Sequence, residues 1–150
     1  DEIRDTQPEE RFGSELAVGL EIGKDSTVTV VGAEVWHSFG YGVWIADGAE
    51  AEISGSTISG TAGKPGIPGH GLGIKDALLV IQDSSIEGNA DNGVAALAGG
   101  EARVGGNVIR DNGAFGIFAD PAGVVTCPAA NTFADNGQNR SEAVPAACGG

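Results

Sequence analysis

An all-β coil, wound from a repeat of about 23 residues, is the fold that the sequence predicts. Three observations carry that expectation. The segment 101–123, EARVGGNVIRDNGAFGIFADPAG, recurs loosely as 78–100, 49–77 and 25–48, with a decaying copy from Val124 onward. Apolar residues stand at alternate positions within each copy, which is the period of a strand with one buried face. Corners rich in Asn, Asp and Gly separate those strands at matching places.

Three apolar columns define the strands. The first pairs Val28 and Val30 with Ala51 and Ile53, Leu79 and Ile81, Ala102 and Val104, then Val125 and Cys127. Val35, Ile58, Ile86, Ile109 and Phe133 form the second, five or six residues later. The third runs through Leu20 and Ile22, Val43 and Ile45, Leu72 and Ile74, Val94 and Ala96, and Ile117 and Ala119. Three short strands per repeat, each followed by a corner, describe a coil whose equivalent side chains lie over one another.

The corners repeat as regularly. Three residues after the second column stand Ser38, Thr61, Asn89, Asn112 and Asn136. Asn tolerates positive φ and its amide satisfies nearby backbone groups, so it suits a tight bend. Stacked from coil to coil, these side chains are expected to form a polar ladder.

At NVIRDNGAFGI, residues 107–117, and again at SSIEGNADNGV, 84–94, the chain resembles the right-handed parallel β-helix of pectate-lyase-like proteins, with its loose Asn-x-Ile, Asn-x-x-x-Gly-Ile pattern. The resemblance covers about residues 19–137 and implies a right-handed parallel β-helix, or β-solenoid, of about 5–6 coils. It implies little about activity, because that family includes lyases, hydrolases, epimerases, adhesins and inert scaffolds.

Composition narrows the classes. With 150 residues the chain is expected to form one domain with a continuous core. Its 26 Gly would hint at disorder if scattered, but they fall at the repeating corners. A formal charge of −13 argues against nucleic acid and anionic membranes as partners, and against direct capture of a polyanion without intervening metal ions. No apolar run approaches the ~20 residues of a membrane-spanning helix. The lack of any Met reads as a processed or excised form. Cys127 and Cys148, an isolated pair in an acidic β-rich chain, are expected to form a disulfide, which points to an extracellular or cell-surface setting.

Residues 1–18 are polar and Glu-rich, and are expected to act as the N-terminal cap of the coil, or else as a leader or an arm that docks on a neighbour. Just beyond lie Trp36, Phe39, Tyr41 and Trp44, within nine residues. Trp36 follows inward Val35 and Trp44 lies between inward Val43 and Ile45, so both are expected to point outward. Such a cluster suits stacking on sugar rings or anchoring a protein. Coverage by residues 1–18 is the competing expectation.

The second coil carries an insertion, GTAGKPGIPGHGLG at 60–73, that contributes either a groove wall or a tolerated surface loop. Lys64 and His70 on it are candidate polar contacts beside the aromatics. Its Gly-Lys is not a phosphate loop, because Pro65 stands where that motif needs Ser or Thr. Asp47 and Asp76 share a corner of successive coils and are candidate calcium donors, although turn residues at that corner would look the same. Lys75, Arg103 and Arg110 are the candidate bases for a lyase. None shares an outward strip with clustered acids, so no catalytic constellation and no cofactor is expected.

The tail 138–150 departs from the repeat, and a Cys127–Cys148 bond would fold it beneath the last coil as a staple. The expected role is a non-catalytic extracellular module for structural assembly or surface adhesion, with itself or another surface protein as partner, joined through its ends or the aromatic cluster. The alternative is carbohydrate engagement, as a polysaccharide-binding module or a reduced lyase or hydrolase relative.

Overall fold

A computed structural model describes residues 2–4 and 17–149. Strands β1 (Glu2–Arg4) and β2 (Leu20–Ile22) precede five three-stranded turns. The first turn comprises β3 (Thr27–Val31), β4 (Glu34–Trp36) and β5 (Tyr41–Ala46), and the second β6 (Glu50–Ser54), β7 (Thr57–Ser59) and β8 (His70–Lys75). The third holds β9 (Leu78–Gln82), β10 (Ser85–Glu87) and β11 (Val94–Ala96). The fourth contains β12 (Glu101–Gly105), β13 (Val108–Arg110) and β14 (Phe115–Ala119), and the fifth β15 (Val124–Thr126), β16 (Thr132–Ala134) and β17 (Gln138–Arg140).

These strands stack into three parallel sheets. The first sheet runs β3-β6-β9-β12-β15, the second β1-β4-β7-β10-β13-β16 and the third β2-β5-β8-β11-β14-β17. Register follows the aliphatic columns without a slip: Val35 pairs with Ile58, Ile58 with Ile86, Ile86 with Ile109 and Ile109 with Phe133. A one-residue shift would turn every one of these side chains to solvent. The column is closed, with Ile58, Ile86 and Ile109 at most 1% exposed. Each such side chain contributes about 1.5–3 kcal/mol on burial.

Two of the three corners share one backbone solution. Between the first and second sheets, Gly32, Gly55, Asp83 and Gly106 have φ of 63°, 55°, 50° and 69°. Between the second and third, His37, Gly60, Gly88, Asp111 and Asp135 have φ of 54°, 64°, 63°, 56° and 53°. This left-handed step bends the chain, and Gly, Asp and His are residues that accept it.

The residue after each step is turned into the stack. At the second corner, Asn89 Nδ2 donates to Asn112 Oδ1 at 2.9 Å and Asn112 Nδ2 donates to Asn136 Oδ1 at 2.9 Å, while the Thr61 N–H donates to Asn89 Oδ1 at 3.1 Å. Amides also donate up to strand carbonyls, as Asn112 does to Ile86 O at 3.1 Å. Above Asn89 the ladder lapses: Ser38 Oγ and Thr61 Oγ1 are buried with no hydrogen-bond partner, since a hydroxyl is shorter than an amide and offers a single proton. A second ladder, which the spacing of the Asn residues does not predict, occupies the first corner. There the Ser56 N–H donates to Ser84 Oγ, the Ser84 N–H to Asn107 Oδ1 and Asn107 Nδ2 to Asn131 Oδ1, at 3.1, 3.0 and 3.0 Å.

The C-terminal residues continue the stack further than the apolar pattern reaches. Gln138–Arg140 forms β17 and pairs with β14, after which Ser141 Oγ accepts the Ala119 N–H at 3.1 Å. The remaining tail then crosses beneath the core, where Val144 is 1% and Cys148 0% exposed. Cys127 and Cys148 are bonded, and the Asn131 N–H donates to Cys148 O at 3.0 Å, so the end of the first-corner ladder and the staple are one unit.

Closing a loop of 21 residues, the disulfide should contribute about 3 kcal/mol, lost on reduction or in Cys148→Ser and measurable by urea denaturation. Asn112→Ala should cost about 3 kcal/mol in the same assay, because it strands donors and acceptors on both neighbouring turns. Asn136→Ala, at the half-exposed end of the ladder, should cost clearly less.

Candidate functional site

The outer face of the third sheet carries the most distinctive surface of the described residues. In β5, Val43 and Ile45 are 1% and 0% exposed, and alternation turns Trp44 outward between them. Register continues that outward column through Gly73, Ala95 and Phe118. Beside it, Tyr41 pairs with His70, and the Phe115 N–H donates to Asn92 Oδ1 at 3.1 Å, which gives a parallel column Tyr41, His70, Asn92, Phe115. Two ring pairs result. Tyr41 and Trp44 have centroids 4.5 Å apart, and Phe115 and Phe118 are separated by 5.7 Å. Three strand spacings lie between the pairs, roughly 14 Å.

Small residues make the floor between the pairs. A Cβ built on Gly73 would stand 2.5 Å from Tyr41 Cε1 and 2.8 Å from Trp44 Cε3, so the rings lean over the glycine toward the Phe pair. Ala95, although outward in the column, is 0% exposed. All four aromatic residues remain half-buried.

His70 sits inside this arrangement at 8% exposure, its ring edge-on to Tyr41 at 5.5 Å. The Phe115 N–H fixes the orientation of the Asn92 amide, so that Nδ2 faces the imidazole. Both the Asn92 N–H and Nδ2 then approach His70 Nδ1 at 3.3 Å. Two donors on one ring nitrogen require a lone pair there, hence a neutral imidazole with its proton on Nε2. Burial lowers the His70 pKa below its ordinary value, with Asp91 opposing. Tyr41 is held above its ordinary value by burial, so it stays a phenol.

The sequence-based patch therefore divides. Trp36 lies on β4 in the second sheet, where its ring packs at 4.3 Å and tilted by 58° against His37, rather than on the face that carries Trp44. The corner between the two sheets, which the linear cluster spans in a few residues, separates them. Phe39 is at that corner, half-buried, exchanging backbone hydrogen bonds of 2.9 Å with Ala17. Lys64 opens a tight turn, Lys64-Pro65-Gly66-Ile67, closed by backbone bonds of 3.0 and 2.8 Å with Gly66 at φ 86°. His70, expected on the inserted loop as a polar contact, instead begins β8 and is buried, its Nδ1 committed to Asn92.

Two of the candidate bases are paired with glutamates. Arg110 Nε donates to Glu87 Oε2 at 2.7 Å, and that bond, then the Glu87 charge, raises its pKa further. Arg103 donates to Glu101 Oε1 at 3.2 Å, and Lys75 is exposed at the end of β8. Asp47 and Asp76 take φ of 55° and 49° at one corner of consecutive turns, the conformation such a bend requires. Among the described residues no three His, Cys, Asp or Glu side chains gather closely enough to hold a metal ion.

Phe115, Phe118 and Asn92 are functional candidates that the sequence pattern alone did not single out. A signal for them exists: Phe118 stands between inward Ile117 and Ala119 just as Trp44 stands between Val43 and Ile45. Clustering along the chain favours 36–44, whereas clustering in space follows the repeat.

The family described as the right-handed β-helix region matches residues 18–144. The chain belongs to that family, as expected from its repeat. No curated protein and no solved structure matches it.

A base whose folded pKa is depressed binds its proton more readily when unfolded. Stability from neutral His70 is thus complete above the unfolded value, near 6.5, and is lost as pH falls from there through the lower folded value. Acidification also relieves the repulsion of a chain at −13, so the wild type must be compared with His70→Gln. Between pH 7.5 and 5.5, thermal denaturation should show the wild-type midpoint falling relative to that of His70→Gln.

Proposed function

We propose that this chain is a non-catalytic extracellular β-helix module for surface adhesion or structural assembly, and that it grips its partner through the outer face of the third sheet. The observation that carries this reading is the pairing of Tyr41 and Trp44 with Phe115 and Phe118 across a small-residue floor. Rigid, half-buried aromatic side chains contribute large contact area at low entropic cost. The flanking chemistry favours contact over catalysis. Arg103 and Arg110, the residues nearest in kind to a lyase base, are engaged by glutamates. A disulfide staple suits an oxidising compartment, and no helix among the described residues is long and apolar enough to cross a membrane.

The partner of first choice is a second copy or another surface protein. A polysaccharide lying along the coil axis is the second reading, favoured by ring pairs about 14 Å apart with the exposed amide of Gln138 in the same column as Tyr41 and Phe115.

Sedimentation at high concentration, together with a glycan array, tests both with one set of variants. Trp44→Ala with Phe118→Ala should weaken self-association or glycan retention by about tenfold or more, and Trp36→Ala should leave it unchanged. Equal loss in Trp36→Ala, or no loss in the double variant, would contradict the assignment of this face. Release of reducing or unsaturated sugars abolished by Arg103→Ala would contradict the non-catalytic role.

A further inference from the structure

Beneath the aromatic face lies a buried group whose hydrogen-bonding requires one protonation state. His70 occupies the place in the Tyr41 column directly above Asn92, and Asn92 in turn holds the Phe115 backbone. One side chain thus connects the two ring pairs. Its amide oxygen accepts from Phe115 at 3.1 Å, leaving only donors to face His70 Nδ1. A proton on Nδ1 would confront those donors and leave the Asn92 N–H, in a residue 7% exposed, without an acceptor.

We infer that His70 is a proton-operated latch for the contact face: neutral, it holds Asn92 and through it the Phe115 backbone, and protonated, it releases Asn92 and disorders the packing between the ring pairs. This rests on the reading of the third sheet as the contact face. The groups that bear on His70 are few. Tyr41 faces it from β5 as a phenol, and Asp91, from the corner before β11, is the charged side chain whose field reaches it. Asp91 favours the imidazolium and burial disfavours it, with burial the larger influence. The latch therefore opens below the ordinary histidine range of about 6.5, and it does so at one sheet while the corner ladders, built from amides and hydroxyls, do not titrate.

The test needs no ligand. In the intact protein the Asn92 amide resonance and the Trp44 emission, read in a Trp36→Phe background, are followed from pH 8 to 4 alongside far-UV dichroism. A reversible change in both signals, with a midpoint below about 6.5 and unchanged far-UV dichroism, is expected. His70→Gln keeps a neutral acceptor and should abolish the change, whereas His37→Gln should not. An unchanged transition in His70→Gln, or no transition in the wild type before global acid unfolding, would overturn the latch. Because neither signal involves a partner, failure here leaves the contact face standing, whereas failure of the Trp44 and Phe118 variants to alter binding removes the contact face and leaves only the proton response of His70 and Asn92.

Discussion

One constraint governs the molecule: an aliphatic side chain must rest on its counterpart one turn away, at the strand spacing of a parallel sheet. Ile58, Ile86 and Ile109 meet it in the second sheet, Ile45 and Ile74 in the third, and Ile53 and Ile81 in the first. Once these are stacked, the parallel backbone bonds have a single register, and a slip would expose three columns together. The corners then face a demand the core cannot meet, because buried amide groups at each bend need partners. Left-handed Gly and Asp residues supply the bend, and the following Asn or Ser supplies the bond to the next turn. The stack is held by apolar contact through its centre and by amide ladders down two of its edges.

The same vertical logic creates the surface. In a repeat, residues that meet on the outside are separated by a turn's worth of chain, not by neighbouring positions. Trp44 and Phe118 share a column across three turns, with Gly73 and Ala95 between them. Trp36, much nearer in sequence, faces away because a corner intervenes. A bulky residue in place of Gly73 would collide with the very rings that lean over it, so glycine there is a condition of the face.

Much of the fold is legible in the amino-acid sequence. The three columns, their register and the matching corners follow from alternation and a period of about 23 residues, since those patterns report the strand and the stack directly. The site is less legible. Composition points to a linear aromatic cluster, and only the register shows which of its members share a face. His70 reads as a loop residue because the insertion before it hides the period, and its burial depends on Asn92 of the next turn. The first-corner ladder is written in Ser56, Ser84 and Asn107, three residues beyond Ile53, Ile81 and Val104. Its serines lack the conspicuous Asn signature, which hides it from a search for Asn corners. Around Gln138–Arg140 the pattern fades for a physical reason: the last turn is backed by the tail instead of by another apolar layer.

Stacking of equivalent side chains is tested most directly by a methyl-to-methyl nuclear Overhauser spectrum centred on Ile86. The stacked register predicts strong cross-peaks from its δ1 methyl to Ile58 on one side and to Ile109 on the other, residues more than twenty positions away in each direction. Cross-peaks confined to residues close to Ile86 in sequence, with none to Ile58 or Ile109, would contradict it.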